Sequence, residues 1–176
     1  MIYLPRRGVF LHIPRTAGNS VTSGIAGATA GRGIDCLVCT SAKEHQVCTG
    51  LYRHVPAFEL KPLIAEWDNI YKFCIDRDVD ARVDSVCRLI ARDIRNGVHD
   101  DPTCPESWRD LLLNPNHRDI VTAQQKALTT DWYTLSPQGE NMGIERIPYA
   151  ELNDRWPEIC DKLQIPRCEL PHLNQA

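Results

Sequence analysis

Val9-Phe10-Leu11-His12-Ile13-Pro14-Arg15-Thr16-Ala17-Gly18-Asn19-Ser20-Val21 decides the fold. It opens with a short apolar run rich in β-formers, the mark of a buried strand. Pro14 cannot donate to a sheet ladder, so the strand should end there. A cation, a hydroxyl, two small residues, an amide and a second hydroxyl follow. A helix is expected to start near Asn19, where an Asn or Ser side chain can cap free N–H groups. Strand, tight loop and helix N-terminus aim unpaired N–H groups and a helix dipole at one spot, and such a spot binds an anion. The loop has no Gly-x-x-x-x-Gly-Lys-Ser/Thr pattern, so it is not a Walker A loop.

Working outward, 176 residues are enough for one domain with its own core. The 43% apolar and 24% charged fractions are those of a globular chain rather than a disordered one. A net charge of -3 gives no global attraction to nucleic acid or an anionic membrane, so neither is expected as a partner. Any anionic ligand must be held by a local cluster of cations. No apolar stretch reaches membrane-span length, and Met1-Ile2-Tyr3-Leu4-Pro5-Arg6-Arg7 lacks the apolar region of a signal peptide, so a cytoplasmic setting is expected. Eight cysteines would stay thiols there, with Cys74, Cys87 and Cys160 on apolar positions of predicted elements.

The rest of the chain alternates between the two periods. Residues 21–30 read as a helix weakened by Gly24 and Gly27, 51–55 as a short strand, and 56–66 as a helix with Leu60, Leu63 and Ile64 inward. Strand 70–75 leads into a helix over 79–96, whose stripe at 79, 83, 86, 87, 90 and 94 has the 3.6 period, with Gly97 as its stop. Helices are expected over 106–113, 119–128 and 154–163, the last with Pro157 in its first turn. Residues 132–135 and 143–148 read as strands about the turn Ser136-Pro137-Gln138-Gly139. Alternating strands and helices imply an α/β fold with a parallel sheet covered on both faces. Ligands in such sheets bind beyond the carboxyl ends of the strands.

Two further clusters carry chemistry. Arg77 stands at a strand's carboxyl end in Asp76-Arg77-Asp78, with Arg82 and Ser85 in the helix that follows. A guanidinium grips a phosphate through a forked donor array, and a hydroxyl can add a bond. His54 is the candidate general base, because an imidazole ordinarily titrates near neutrality, with Glu59 and Asp76 ranked below it; His12 reads as a packed residue. The order Cys36-x2-Cys39-x5-His45-x2-Cys48 sets four potential zinc ligands within thirteen residues, near but not equal to zinc-knuckle spacing. Four unligated side chains in a loop are the favoured reading, and no metal is expected.

The run His12-Ile13-Pro14-Arg15-Thr16-Ala17-Gly18-Asn19-Ser20 resembles the 5′-phosphosulfate loop of the carbohydrate-type sulfotransferases, roughly His-Ile-Pro-Lys-Thr-Gly/Ala-Gly-Thr-Ser. Arg15 stands where that family has Lys, and Asn19 where it has Thr. Phe73-Cys74-Ile75-Asp76-Arg77 through Ser85 resembles the 3′-phosphate site, with Asp78-Val79 in place of Asn-Pro. Residues 53–61 resemble the His-x-x-Ala-x-Glu-Leu/Ile-Lys segment, and Leu170-Pro171-His172-Leu173-Asn174 the closing one, where Gln175 and Ala176 replace Lys or Arg.

The resemblance implies one sulfotransferase-like domain over residues 1–176, a P-loop-like three-layer α/β/α fold, and 3′-phosphoadenosine 5′-phosphosulfate as co-substrate. It implies that Arg15, Thr16, Ala17, Gly18, Asn19 and Ser20 hold the 5′ end, that Arg77 and Ser85 hold the 3′-phosphate, and that Arg15 and His54 act in transfer to an acceptor hydroxyl, a glycan among the candidates. Two rivals stay open: a P-loop-like nucleotide kinase or phosphotransferase, and a non-catalytic nucleotide- or zinc-binding interaction protein.

Overall fold

The computed structural model describes residues 1–39, 53–102, 104 and 106–172. The strands are β1 (Ile2–Leu4), β2 (Gly8–Leu11), β3 (Leu37–Val38), β4 (Tyr71–Asp76) and β5 (Glu145–Pro148). The α-helices are α1 (Gly18–Thr29), α2 (Ala57–Leu60), α3 (Val79–Arg95), α4 (Glu106–Leu113), α5 (His117–Ala127), α6 (Thr130–Thr134) and α7 (Leu152–Lys162). The chain forms two compact units, Met1–Arg77 with Thr130–Gln175, and Asp78–Thr129.

The first unit holds the whole sheet, in the order β3-β1-β2-β4-β5. β2 and β4 pair in parallel with Phe10 opposite Phe73, and β4 and β5 pair in parallel with Ile75 opposite Ile147. The all-parallel expectation is corrected at the other edge, where β1 runs antiparallel to both β2 and β3. The turn between β1 and β2 lacks the Asn-Gly or Asp-Gly signal of a tight hairpin. It is closed instead by Arg7 N–H on the Leu4 carbonyl at 3.0 Å, with Arg6 at φ 62°. The fold is therefore α/β with a mostly parallel sheet.

One face of the sheet presents Ile2, Leu4, Phe10, Phe73, Ile75 and Ile147, as strand alternation requires. These pack with Val21, Ile25 and Ala28 of α1 and with Leu152, Trp156, Ile159 and Cys160 of α7 in one core. On the other face Val9, Leu11 and Cys74 are buried, and Lys72 donates to the carbonyls of Trp67 and Ile70 at 2.7 and 3.0 Å.

Three local expectations are corrected. The helix over 56–66 stops at Leu60 because Pro62 has no N–H to continue the ladder; a 3-10 turn, Lys61–Leu63, follows and leaves Leu63 60% exposed. The strand over 132–135 is helix α6, held by the Thr134 hydroxyl donating to the Thr130 carbonyl at 2.8 Å, with Tyr133 and Thr134 buried. α7 begins at Leu152 rather than at 154, so Pro157 lies inside the helix instead of in its first turn.

In the second unit, Val83, Val86 and Ile90 of α3 pack with Leu112 of α4 and Val121 of α5. α3 buries Val83, Val86 and Ile90 of its expected stripe, with Val79 and Cys87 partly covered and Ile94 left 38% exposed; it is capped by Asp78 accepting from Ala81 N–H at 3.0 Å and ends before Gly97. Tyr52 and Leu51 of the expected strand 51–55 lie outside the described residues, as do His45, Cys48, Leu173 and Asn174.

Candidate anion site at the carboxyl ends of β2 and β4

Beyond Leu11 the chain folds into a tight loop. Ile13 N–H donates to the Leu11 carbonyl at 3.2 Å, and the fully buried Thr16 donates its hydroxyl to the Ile13 carbonyl at 2.9 Å. Arg15 and Ala17 adopt φ 64° and 63°, left-handed conformations that disfavour any residue with a Cβ by about 1–2 kcal/mol. Gly18 follows because nothing larger fits: a Cβ there would lie 1.8 Å from the His12 ring.

α1 begins at Gly18, with Ala17 as its N-cap residue and no side-chain cap bond. The expected capping by Asn19 or Ser20 is thereby corrected. Asn19 falls inside the first turn, and its amide oxygen accepts from Arg53 Nη2 instead of folding back on the backbone. The first-turn N–H groups of a helix have no acceptor within the helix, and the dipole is positive there.

His12 and His54 meet edge-on beside this loop, ring centroids 4.9 Å apart. His54 Nδ1 lies 2.6 Å from the His12 carbonyl, which can only accept, so the proton sits on Nδ1 and the Nε2 lone pair is left open. Arg53 Nε donates to His12 Nδ1 at 3.2 Å, which puts the His12 proton on Nε2. Burial pushes His54 down to about 4 and His12 down to about 2, so both are neutral at neutral pH. His54 can take a proton at Nε2, as a weak base. Burial also lowers the Arg53 guanidinium from its usual value.

At the end of β4, Asp76 accepts from the Thr130 hydroxyl at 2.5 Å. The next residue, Arg77, donates through Nη1 to the Arg15 carbonyl at 3.1 Å and stacks on the Tyr149 ring at 4.5 Å. Arg15 follows β2, Arg77 follows β4, and Tyr149 follows β5, so the carboxyl ends of three neighbouring parallel strands converge on one guanidinium. Ser85 and Arg82 belong to the second unit, both buried on α3. Glu59, a lower-ranked base, lies on α2.

Among the described residues no group of three or more His, Cys, Asp or Glu side chains is placed to hold a metal ion. Of the Cys36-Cys39-His45-Cys48 set, only Cys36 and Cys39 are described. No described helix is long and apolar enough to cross a membrane. A cavity of about 470 Å³ opens elsewhere in the first unit, lined by residues that include Phe58, Lys61, Trp67 and Met142 and by none of the expected site residues.

The chain matches no family model, no curated protein and no solved structure. Its chemistry must be argued from the site itself. Two side chains there escaped the sequence reading. Arg53 bonds to partners 34 and 41 positions away, and Tyr149 meets Arg77 across two strands, so no local spacing signals either contact.

Proposed function

We propose that this chain is a sulfotransferase of the carbohydrate type on a P-loop-like three-layer α/β/α frame. It would move a sulfuryl group from 3′-phosphoadenosine 5′-phosphosulfate to an acceptor hydroxyl, with a glycan as the first class to screen. The observation that carries the reading is the meeting of Arg77 with the strained Arg15 loop at the neighbouring carboxyl ends of β2 and β4. A nucleotide bearing anions on both sides of its ribose needs two cations at the carboxyl ends of neighbouring strands, and Arg15 and Arg77 would serve as them.

In this reading the acceptor oxygen attacks sulfur while the 5′-phosphate oxygen leaves, so catalysis rests on positioning and charge neutralisation. Arg15 neutralises the leaving phosphate together with backbone N–H groups of residues 16–20. Arg77 takes the 3′-phosphate through the edge of its guanidinium turned away from the Arg15 carbonyl. His54 Nε2 receives the acceptor proton, with Nδ1–H anchored on the His12 carbonyl.

Thermal stabilisation by 3′,5′-adenosine bisphosphate, with ATP and AMP as controls, tests the donor site. At one hundred times the dissociation constant the ligand should add about 2.7 kcal/mol, and Arg77→Ala should abolish most of that gain. A stronger response to ATP would favour a kinase, and no response to any nucleotide would remove the donor reading.

A further inference from the structure

We infer that Arg53 is a second anion-binding cation of this loop, and that it engages the phosphate or sulfate oxygens at the 5′ end of the donor. The inference rests on the sulfotransferase reading of the site and deepens it. Arg53 is fastened at the start of α1, by Nη2 to the Asn19 amide oxygen and by Nε to His12 Nδ1 at 3.2 Å. Both partners are neutral, so they aim the guanidinium without balancing its charge. Its backbone is pinned as well, the carbonyl accepting from the Met1 amine at 2.5 Å.

The surroundings are electrostatically one-sided. The positive end of the α1 dipole lies beside Arg53, burial holds the neighbouring Met1 amine and both imidazoles neutral, and among the described residues no carboxylate forms an ion pair with it. A cation at a helix N-terminus is unfavourable, and more so when partly desolvated. An oxyanion at the same spot would interact favourably with both the guanidinium and the dipole. A guanidinium also has more N–H donors than the two committed here, in a fork that matches phosphate or sulfate.

The arrangement links the two departures of this loop from the family pattern. Asn19, in place of Thr, supplies the carbonyl oxygen that fastens Arg53. Arg15, in place of Lys, is less able to follow a developing oxyanion. A second guanidinium on the same anion offsets that loss.

Calorimetric titration of 5′-AMP and 3′,5′-adenosine bisphosphate into wild type, Arg53→Met, Arg53→Lys, Asn19→Ala and Arg77→Ala tests this. Arg53→Met should weaken both nucleotides about ten- to hundredfold and leave their ratio unchanged, since the 5′-phosphate is common to both. Arg77→Ala should weaken the bisphosphate alone. The salt dependence of binding should flatten in Arg53→Met but persist in Asn19→Ala, which frees the guanidinium and keeps its charge. A purely structural role for Arg53 would leave the salt dependence intact in both. Should Arg53→Met fail to fold, Arg53→Lys carries the test, with a severalfold loss expected from the missing fork. Wild-type affinity for both nucleotides in either Arg53 variant overturns the inference and spares the donor site. No binding by wild type overturns both.

Discussion

Two turns of this molecule adopt the same left-handed backbone with different residues. After α3 in the second unit, the turn is made by Gly97 at φ 68°, whose N–H donates to the Ile94 carbonyl at 3.1 Å. After β2 in the first unit, φ 64° and 63° fall to Arg15 and Ala17. At Gly97 the conformation carries no steric penalty; at 15 and 17 it carries one twice. Such strain persists only where the surroundings over-determine the backbone. Here Thr16 bonds inward to Ile13, Arg77 bonds to the Arg15 carbonyl, and the His12 ring fills the space above Gly18. A helix end needs only to stop, whereas a loop that is to bind an anion would have to hold its N–H groups in place before the ligand arrives.

The sharpest way to break this contrast is Gly18→Ala. The added carbon would lie 1.8 Å from the His12 ring, so His12 must leave and take its bond from Arg53 with it. A loss of about 3 kcal/mol is expected in urea unfolding, at the upper end for overpacking. A cost below about 1 kcal/mol would mean that the ring yields and the loop is less determined than its bonds imply.

Per pH unit, a smaller effect should appear on acidification. Both histidines titrate lower in the folded protein than the ordinary value near 6.5, because burial disfavours their charged forms. Between those limits the unfolded chain binds more protons, so stability is fully present above pH 6.5 and falls as pH drops toward 4. Each histidine contributes a slope of up to about 1.4 kcal/mol per pH unit. Urea midpoints from pH 7 to 4.5 should show the decline, and His54→Gln should flatten part of it. An unchanged slope would place the His54 ring in water rather than against His12.

The parts of this fold legible in the sequence were those with long periods or strong punctuation. The α3 stripe, Gly97 as its stop, strand β4 and the β2–loop–α1 order all follow from residue pattern. What escaped was set by contacts distant in sequence. β1 has only three residues, too few for a period to show, and gains its identity from pairing on two sides. Trp132-Tyr133-Thr134 has strand propensity but is helical, its buried face and the Thr134–Thr130 bond deciding. The β2–α1 loop was visible as a motif, yet its strain was not, since Arg15 and Ala17 have no intrinsic preference for φ above zero.

The smallest expected effect tests the comparison most directly, because it exchanges residues between the two turns. Ala17→Gly should stabilise the unliganded protein by about 1 kcal/mol, since glycine removes the left-handed penalty while adding freedom to the unfolded chain. Gly97→Ala should do the reverse by a similar amount, for conformational reasons alone: the nearest atom a Cβ would meet there is Asp100 Oδ2 at an ordinary 3.8 Å. Urea unfolding of the two single variants and of the double reads both, and sites in separate units should add. If the strain at Ala17 serves ligand binding, Ala17→Gly should also weaken 3′,5′-adenosine bisphosphate while the protein itself becomes more stable. Gly97→Ala should leave affinity unchanged. Stability and affinity moving in opposite directions at residue 17, but not at 97, would separate a loop shaped for an anion from a turn that merely ends a helix. If both variants move only stability, the left-handed pair at 15 and 17 is a packing solution, and the anion is held by side chains alone.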